Sequence, residues 1–158
     1  MDLTNEQREN ILRVAKEWIG TPYRGWGAVK GYAADCGQLV KGIYFEAGHT
    51  PADGVPLPAA YGLAVAQHKF DVEYLDTFEK YFREIEESEL KPGDVVLYKL
   101  RHFFSFAHAA IVAEWPHYVI HATARHGVVG AHGINDPMFR GAQKKFYTFK
   151  NEVCEDSK

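Results

Sequence analysis

Cys36 stands between Asp35 and Gly37 in the stretch AADCGQLVKG, at the start of an apolar run. Leu39, Val40, Ile43, Tyr44 and Ala47 recur at helical spacing and Gly48 stops the pattern, so the spacing predicts a helix that begins at about Cys36. A thiol in the first turn of a helix faces unpaired backbone N–H groups and the positive end of the helix dipole. Both favour the thiolate, so Cys36 is expected to be partly ionised at neutral pH. The competing expectation is a small buried hydrophobe, the usual fate of an unpaired cysteine.

A cysteine nucleophile needs a base within hydrogen-bond reach, and the base needs a group that orients it. Two strand-like stretches in the second half supply candidates, HAAIVAEW with His108 and YVIHAT with His121. Alternation puts His108 on the face of Ala110 and Val112, away from Ala109 and Ile111, and puts His121 with Val119 and Thr123. With a hairpin turn near Pro116, the opposed pairing falls within one or two residues of a direct His108–His121 match, which sets the imidazoles side by side. The histidines at 49, 68, 102, 117, 126 and 132 show no metal-ligand spacing on a helix and are assigned to loops and surface. No zinc and no organic cofactor are expected.

The elements that must hold these residues are helical first and strand-like second, which indicates an α+β fold. Thr4 and Gln7 can form a capping box for a helix with Ile11, Leu12, Ala15, Trp18 and Ile19 inward, ended by Gly20 and Pro22. The glycine- and aromatic-rich segment 20–34 reads as a shaped loop. A further helix is expected over Val72 to Glu84, with Val72, Leu75, Phe78 and Phe82 inward. LKPGDVVLYKL opens the sheet, and strands are expected within Ala107 to Trp115, His117 to Thr123, Val128 to Ile134 and Lys144 to Phe149. The acid-rich EIEESEL reads as a solvated helix end, and RHFFSFA as an apolar continuation of the sheet.

The 158 residues, 46% hydrophobic, suit one domain over 1–150 with a polar tail at 151–158 expected to be disordered. Eighteen basic against twenty-one acidic residues give a net charge of −3, which provides no global field for nucleic acid or an anionic bilayer. The polar start MDLTNEQREN lacks the basic and apolar regions of a signal peptide, so a cytoplasmic location at synthesis is expected, without a membrane span. Cys154 lies in the tail, a poor place for a disulfide, which leaves Cys36 as a free thiol.

The run GTPYRGWG…ADCGQLVKGIY, followed by LKPGDVVLY, AHAAIVAE and YVIHAT, resembles the NlpC-type cell-wall cysteine peptidases, a papain-like family. The resemblance spans roughly Ile11 to Thr123 and is closest to short, single-domain members associated with phage tails. It implies N-terminal helices packed on a C-terminal antiparallel sheet, with Cys36 as nucleophile, His108 as base and His121 as the orienting residue. Tyr23 would border the substrate cleft. Gly37 and Gln38 depart from the family's Ser-Gly pair after the nucleophile, so contacts made there by a serine are not expected here. Asp35 is read either as a helix cap or as a contact to the free amine of a stem peptide, and Trp26 either as a cleft wall or as core packing. The implied activity is hydrolysis of peptidoglycan stem peptides, commonly between D-glutamate and a diamino acid. Phage-tail proteins are the implied further partners, with delivery to the wall by a tail or by lysis. A tail-assembly module with little turnover, and an amidase or acyltransferase using the same thioester, are the alternatives.

Overall fold

The computed structural model describes residues 2–25, 27–49, 78–101 and 105–150. Helix α1, Asn5–Glu17, starts at the expected capping box: the Thr4 side chain accepts from the Gln7 N–H and the Gln7 side chain accepts from the Thr4 N–H. Ile11, Val14, Ala15 and Trp18 are buried, whereas Ile19 is exposed. The helix ends at Glu17, so Ile19 lies in the following turn and no longer follows the helical period. Helix α2, Cys36–Glu46, buries Leu39, Val40, Ile43 and Tyr44, and Gly48 ends it at φ +90°. The two helices meet closely at Gly42, where a Cβ would come within 2.6 Å of the Trp18 ring.

Between the helices, the segment expected to be a loop contains a small hairpin, β1 (Ala28–Val29) with β2 (Ala33–Ala34). Gly31 at φ +83° turns it. Lys30 in that turn is paired with Glu17 at the end of α1 and with Glu46 at the end of α2, so the hairpin is tied to both helices.

The main sheet has six antiparallel strands in the order β3-β8-β4-β5-β6-β7. These are β3 (Phe82–Ile85), β4 (Val95–Lys99), β5 (His108–Glu114), β6 (Tyr118–Thr123), β7 (Gly127–Ala131) and β8 (Gln143–Phe149). The four strands expected after the Pro-Gly turn are therefore present. The helix expected to reach Glu84 is corrected: residues 78–81 are helical, but Phe82 begins β3, pairing with Phe149. Buried Phe82 and Ile85 flank exposed Arg83 and Glu84, an edge-strand pattern whose first aromatic also fits a helical spacing with Phe78. Val72 and Leu75 lie outside the described residues, as does the tail. EIEESEL is not a helix end; it runs out of β3 into a short 3-10 turn, Glu87–Glu89.

Both faces of the sheet are covered. The helices pack Ile11, Leu39, Ile43 and Tyr44 against Leu97, Ala109, Ile111 and Ile120. On the other face Val96, Tyr98, Ala110, Val112 and Val119 pack with Phe139 from the β7–β8 connection. That two-sided burial is why the central strands read as nearly continuous apolar runs. No helix among the described residues is long and apolar enough to cross a membrane.

Candidate functional site

Asp35 is the N-cap of α2. Its carboxylate accepts the Gln38 N–H at 2.8 Å and its carbonyl accepts the Leu39 N–H at 2.8 Å. A cap of this kind contributes about 1 kcal/mol to the helix. It also leaves the N–H groups of Cys36 and Gly37 outside the helical ladder, at the end where the dipole favours negative charge. Gly37 adds no side chain to that end, and Gln38 is buried. The capping reading of Asp35 is thus met, and the residue is fully buried.

Cys36 is 1% exposed, and its Sγ lies 3.5 Å from the carbonyl oxygen of Ala107. Ala107 immediately precedes His108, so the helix end meets β5 where the strand begins. Ala107 and Ala109 are fully buried and small, which is what permits the approach. Tyr23 is bridged to Ala34 and lies half-buried beside this end of α2. Burial raises the pKa of its phenol, and the nearby Cys36 and Asp35 raise it further, which keeps Tyr23 neutral.

The β5–β6 register pairs Ile111 with Ile120 and Val112 with Val119, two residues away from a direct His108–His121 match. The histidines are consequently diagonal neighbours. His108 Nε2 and His121 Nδ1 are 2.9 Å apart, with ring planes at 83°. Both are buried, on the face of Ala110 and Val112 as alternation requires. Phe139 packs against them, at 4.8 Å from the His121 ring and 5.9 Å from the His108 ring between centroids. Burial drives the His121 pKa down to about 4, opposed by the Asp136 carboxylate, so His121 is neutral at physiological pH.

The fold therefore brings Cys36, Tyr23, Asp35 and Gly37 together at one end of α2 and brings the two histidines together at the start of β5. Trp26 lies outside the described residues. Sequence reasoning missed Phe139 and Asp136, which stand in an irregular stretch without hydrophobic periodicity. It also assigned His49 to the surface, whereas His49 is buried against Tyr44 and Phe149 and its pKa is lowered by burial. The turn at Gly48 folds the chain back, with the His49 N–H donating to the Tyr44 carbonyl at 2.8 Å. Among the described residues no three His, Cys, Asp or Glu side chains are grouped so as to hold a metal ion.

No protein-family model and no curated protein matches the sequence. Solved structures do match the fold. The NlpC/p60 domain of the peptidoglycan hydrolase SagA aligns over 89% of this chain and 97% of its own, with a TM-score of 0.56 at 19% identity. A lipoprotein-like member of the NLP/P60 family from Staphylococcus aureus aligns over 90% of this chain with a TM-score of 0.61 at 21% identity, and this chain spans 42% of it. RipD from Mycobacterium tuberculosis, a non-catalytic NlpC/p60 domain protein adapted to peptidoglycan binding, aligns over 90% of this chain and 97% of its own, with a TM-score of 0.52 at 12% identity. Helices on one face of an antiparallel sheet, a cysteine at a helix start and these likenesses together give the chain the papain-like NlpC/p60 fold.

Proposed function

We propose that the protein is a cysteine peptidase that hydrolyses peptide bonds in peptidoglycan stem peptides, with the bond between D-glutamate and a diamino acid as the expected target. The observation that carries this reading is the placement of a thiol at the start of α2 against the residue before His108, with His108 bonded through Nε2 to a second, neutral histidine. Because Nε2 faces His121, Nδ1 is the nitrogen of His108 that serves the thiol. In the first half-reaction His108 takes the thiol proton and Cys36 Sγ attacks the amide carbonyl carbon. The oxyanion is stabilised by the backbone N–H groups at the start of α2. His108 then gives its proton to the leaving amine as the C–N bond breaks. In the second half-reaction water, deprotonated by His108, attacks the thioester, and the carboxylic acid leaves while Cys36 regains its proton. Tyr23, beside the thiol and neutral, borders the scissile bond.

The burial of Cys36 favours a second reading, a peptidoglycan-binding module of the same fold without turnover, as RipD is described to be. Purified peptidoglycan incubated with wild type and with Cys36→Ala, followed by mass spectrometry of the soluble fragments, separates the two. Hydrolysis predicts stem fragments with new amino termini from wild type alone. Sedimentation with the wall by both proteins and no fragments from either supports the binding module.

A further inference from the structure

On the main sheet β5 is followed by β4, and β4 by β8. Leu97 pairs with Ala109 on one side and with Lys145 on the other, and Lys99 pairs with Gln143. Leu97, Ala109 and Tyr147 all lie in the core beneath the helices. Alternation along β4 and β8 therefore sets Lys99 and Lys145 on that same face, the one against which α2 begins. Lys144 belongs to the opposite face, with Tyr98 as its pair.

Phe106 connects these lysines to the thiol. It stands in the bend before β5, half-buried against the helix-side core, and the Lys145 ammonium lies over its ring at 4.9 Å from the centroid. The next residue is Ala107, whose carbonyl oxygen is 3.5 Å from Cys36 Sγ. Tyr98 pairs with His108, so the same register carried one residue further sets Lys99 alongside Ala107. Two ammonium groups and an aromatic ring thus stand on the β8 side of the thiol, with Tyr23 and Asp35 on the β2 side. Both lysines are half-buried. Among the described residues neither has a carboxylate within ion-pair distance, unlike Lys30, which is paired with Glu17 and Glu46. An anion brought to half-buried cations is screened less than one at a fully exposed lysine, so the pair is suited to hold a carboxylate.

Resting on the hydrolase reading above, we propose that Lys99 and Lys145 are specificity residues that take a carboxylate carried by the stem peptide beside the scissile amide. D-Glutamate and the diamino acid each have a carboxyl group outside that bond. Converting either to a carboxamide removes its charge and keeps its size, so amidation probes the lysines directly.

Three synthetic peptides of L-alanine, γ-linked D-glutamate and a diamino acid serve as probes: the free acid, the form amidated at glutamate and the form amidated at the diamino acid. kcat/KM is measured for wild type, the Lys99→Gln/Lys145→Gln double variant and Lys145→Arg. Calorimetry measures Kd in a Cys36→Ala background, with and without the double substitution. For wild type one of the two amidated peptides should lose about tenfold in kcat/KM, as expected for a charge-assisted hydrogen bond, and that peptide identifies the carboxylate. The double variant should treat the free acid like the amide, and Lys145→Arg, which keeps the charge, should keep the preference. Equal kcat/KM for the three peptides in wild type, or a preference that survives in the double variant, overturns the proposal and leaves hydrolysis standing. A calorimetric preference that is lost with the lysines, in a protein whose wild type cleaves none of the peptides, leaves the carboxylate site standing and fails the hydrolase reading. Neither binding nor cleavage of any peptide overturns the proposal as well.

Discussion

Among the described residues, a buried ion-pair cluster and the buried histidine pair differ in what they do with charge. At one, Asp94 accepts from Arg8 Nη1 at 2.8 Å, from the Thr148 hydroxyl at 2.8 Å and from the Lys91 N–H at 2.9 Å. Arg8 also donates to the Pro92 carbonyl, and Tyr44 donates to the Gly93 carbonyl, so α1, α2, β8 and the turn before β4 are tied at one point. Opposite charges and several donors hold this cluster in one geometry. At the other cluster the histidines share one hydrogen bond among apolar rings, and His121 is kept neutral by burial. A buried ion pair that ties several elements together fixes structure, whereas on the proposed function the two hydrogen-bonded imidazoles carry the proton of the thiol. On the proposed function the first cluster serves stability and the second serves chemistry.

The largest effect should come from the second cluster. Removing the proton carrier with His108→Ala should lower kcat about 10²- to 10⁴-fold, the usual contribution of general acid–base catalysis, while the denaturation midpoint stays near that of wild type. His121→Gln should retain more activity than His108→Gln, because an amide oxygen can accept from His108 Nε2 but an amide cannot carry the proton from thiol to amine. Steady-state kinetics on released stem fragments measures both, and equal, complete loss in the two Gln variants would erase the division of roles.

The first cluster should answer in stability alone. Asp94→Ala leaves Arg8, 5% exposed, without its carboxylate and should cost about 3–5 kcal/mol in urea unfolding. Activity per folded molecule should be unchanged, and a selective fall in kcat would contradict the separation.

A smaller effect distinguishes the clusters by pH. Folded His121 binds its proton near pH 4, against about 6.5 when unfolded. Between those values the unfolded chain holds more protons, so stability is present in full above pH 6.5 and is lost as the pH falls towards 4. The upper bound is about 3 kcal/mol. Burial shifts His49 in the same direction and adds to the slope. Urea unfolding at pH 7 and pH 4.5 should show the loss in wild type and a smaller loss in His121→Gln; equal losses would mean that His121 is not held neutral.

Much of this was legible in the residues. Thr4 with Gln7 and Asp35 before Cys36 are local signals, and local hydrogen bonds decide helix starts. Alternation in HAAIVAEW and YVIHAT gave the faces of both histidines, since a pleated strand leaves no choice once one face is set. The register was legible only to within two residues, because the β-bulge between Val112 and Glu114 is set by packing rather than by pattern. The β1–β2 hairpin was hidden by alanines, which carry little strand preference. Asp136 and Phe139 were hidden for another reason: they stand in a connection without period, and only the folded arrangement brings Phe139 onto the histidine rings. Arg8 carries no local signal of its burial, because its partner Asp94 is distant in sequence.

The account turns on whether Cys36 is an activated nucleophile or a buried, inert thiol, and the rate of its alkylation as a function of pH decides this. Wild type and His108→Ala would be treated with limiting iodoacetamide from pH 4 to 9, with Cys36 and Cys154 peptides quantified separately by mass spectrometry. The account predicts that Cys36 of wild type reacts first at mildly acidic pH, with an inflection well below the ordinary thiol value of about 8.5, and that His108→Ala moves the inflection up. Preferential labelling of Cys154 in the folded protein, or Cys36 profiles that coincide in the two proteins, would contradict it.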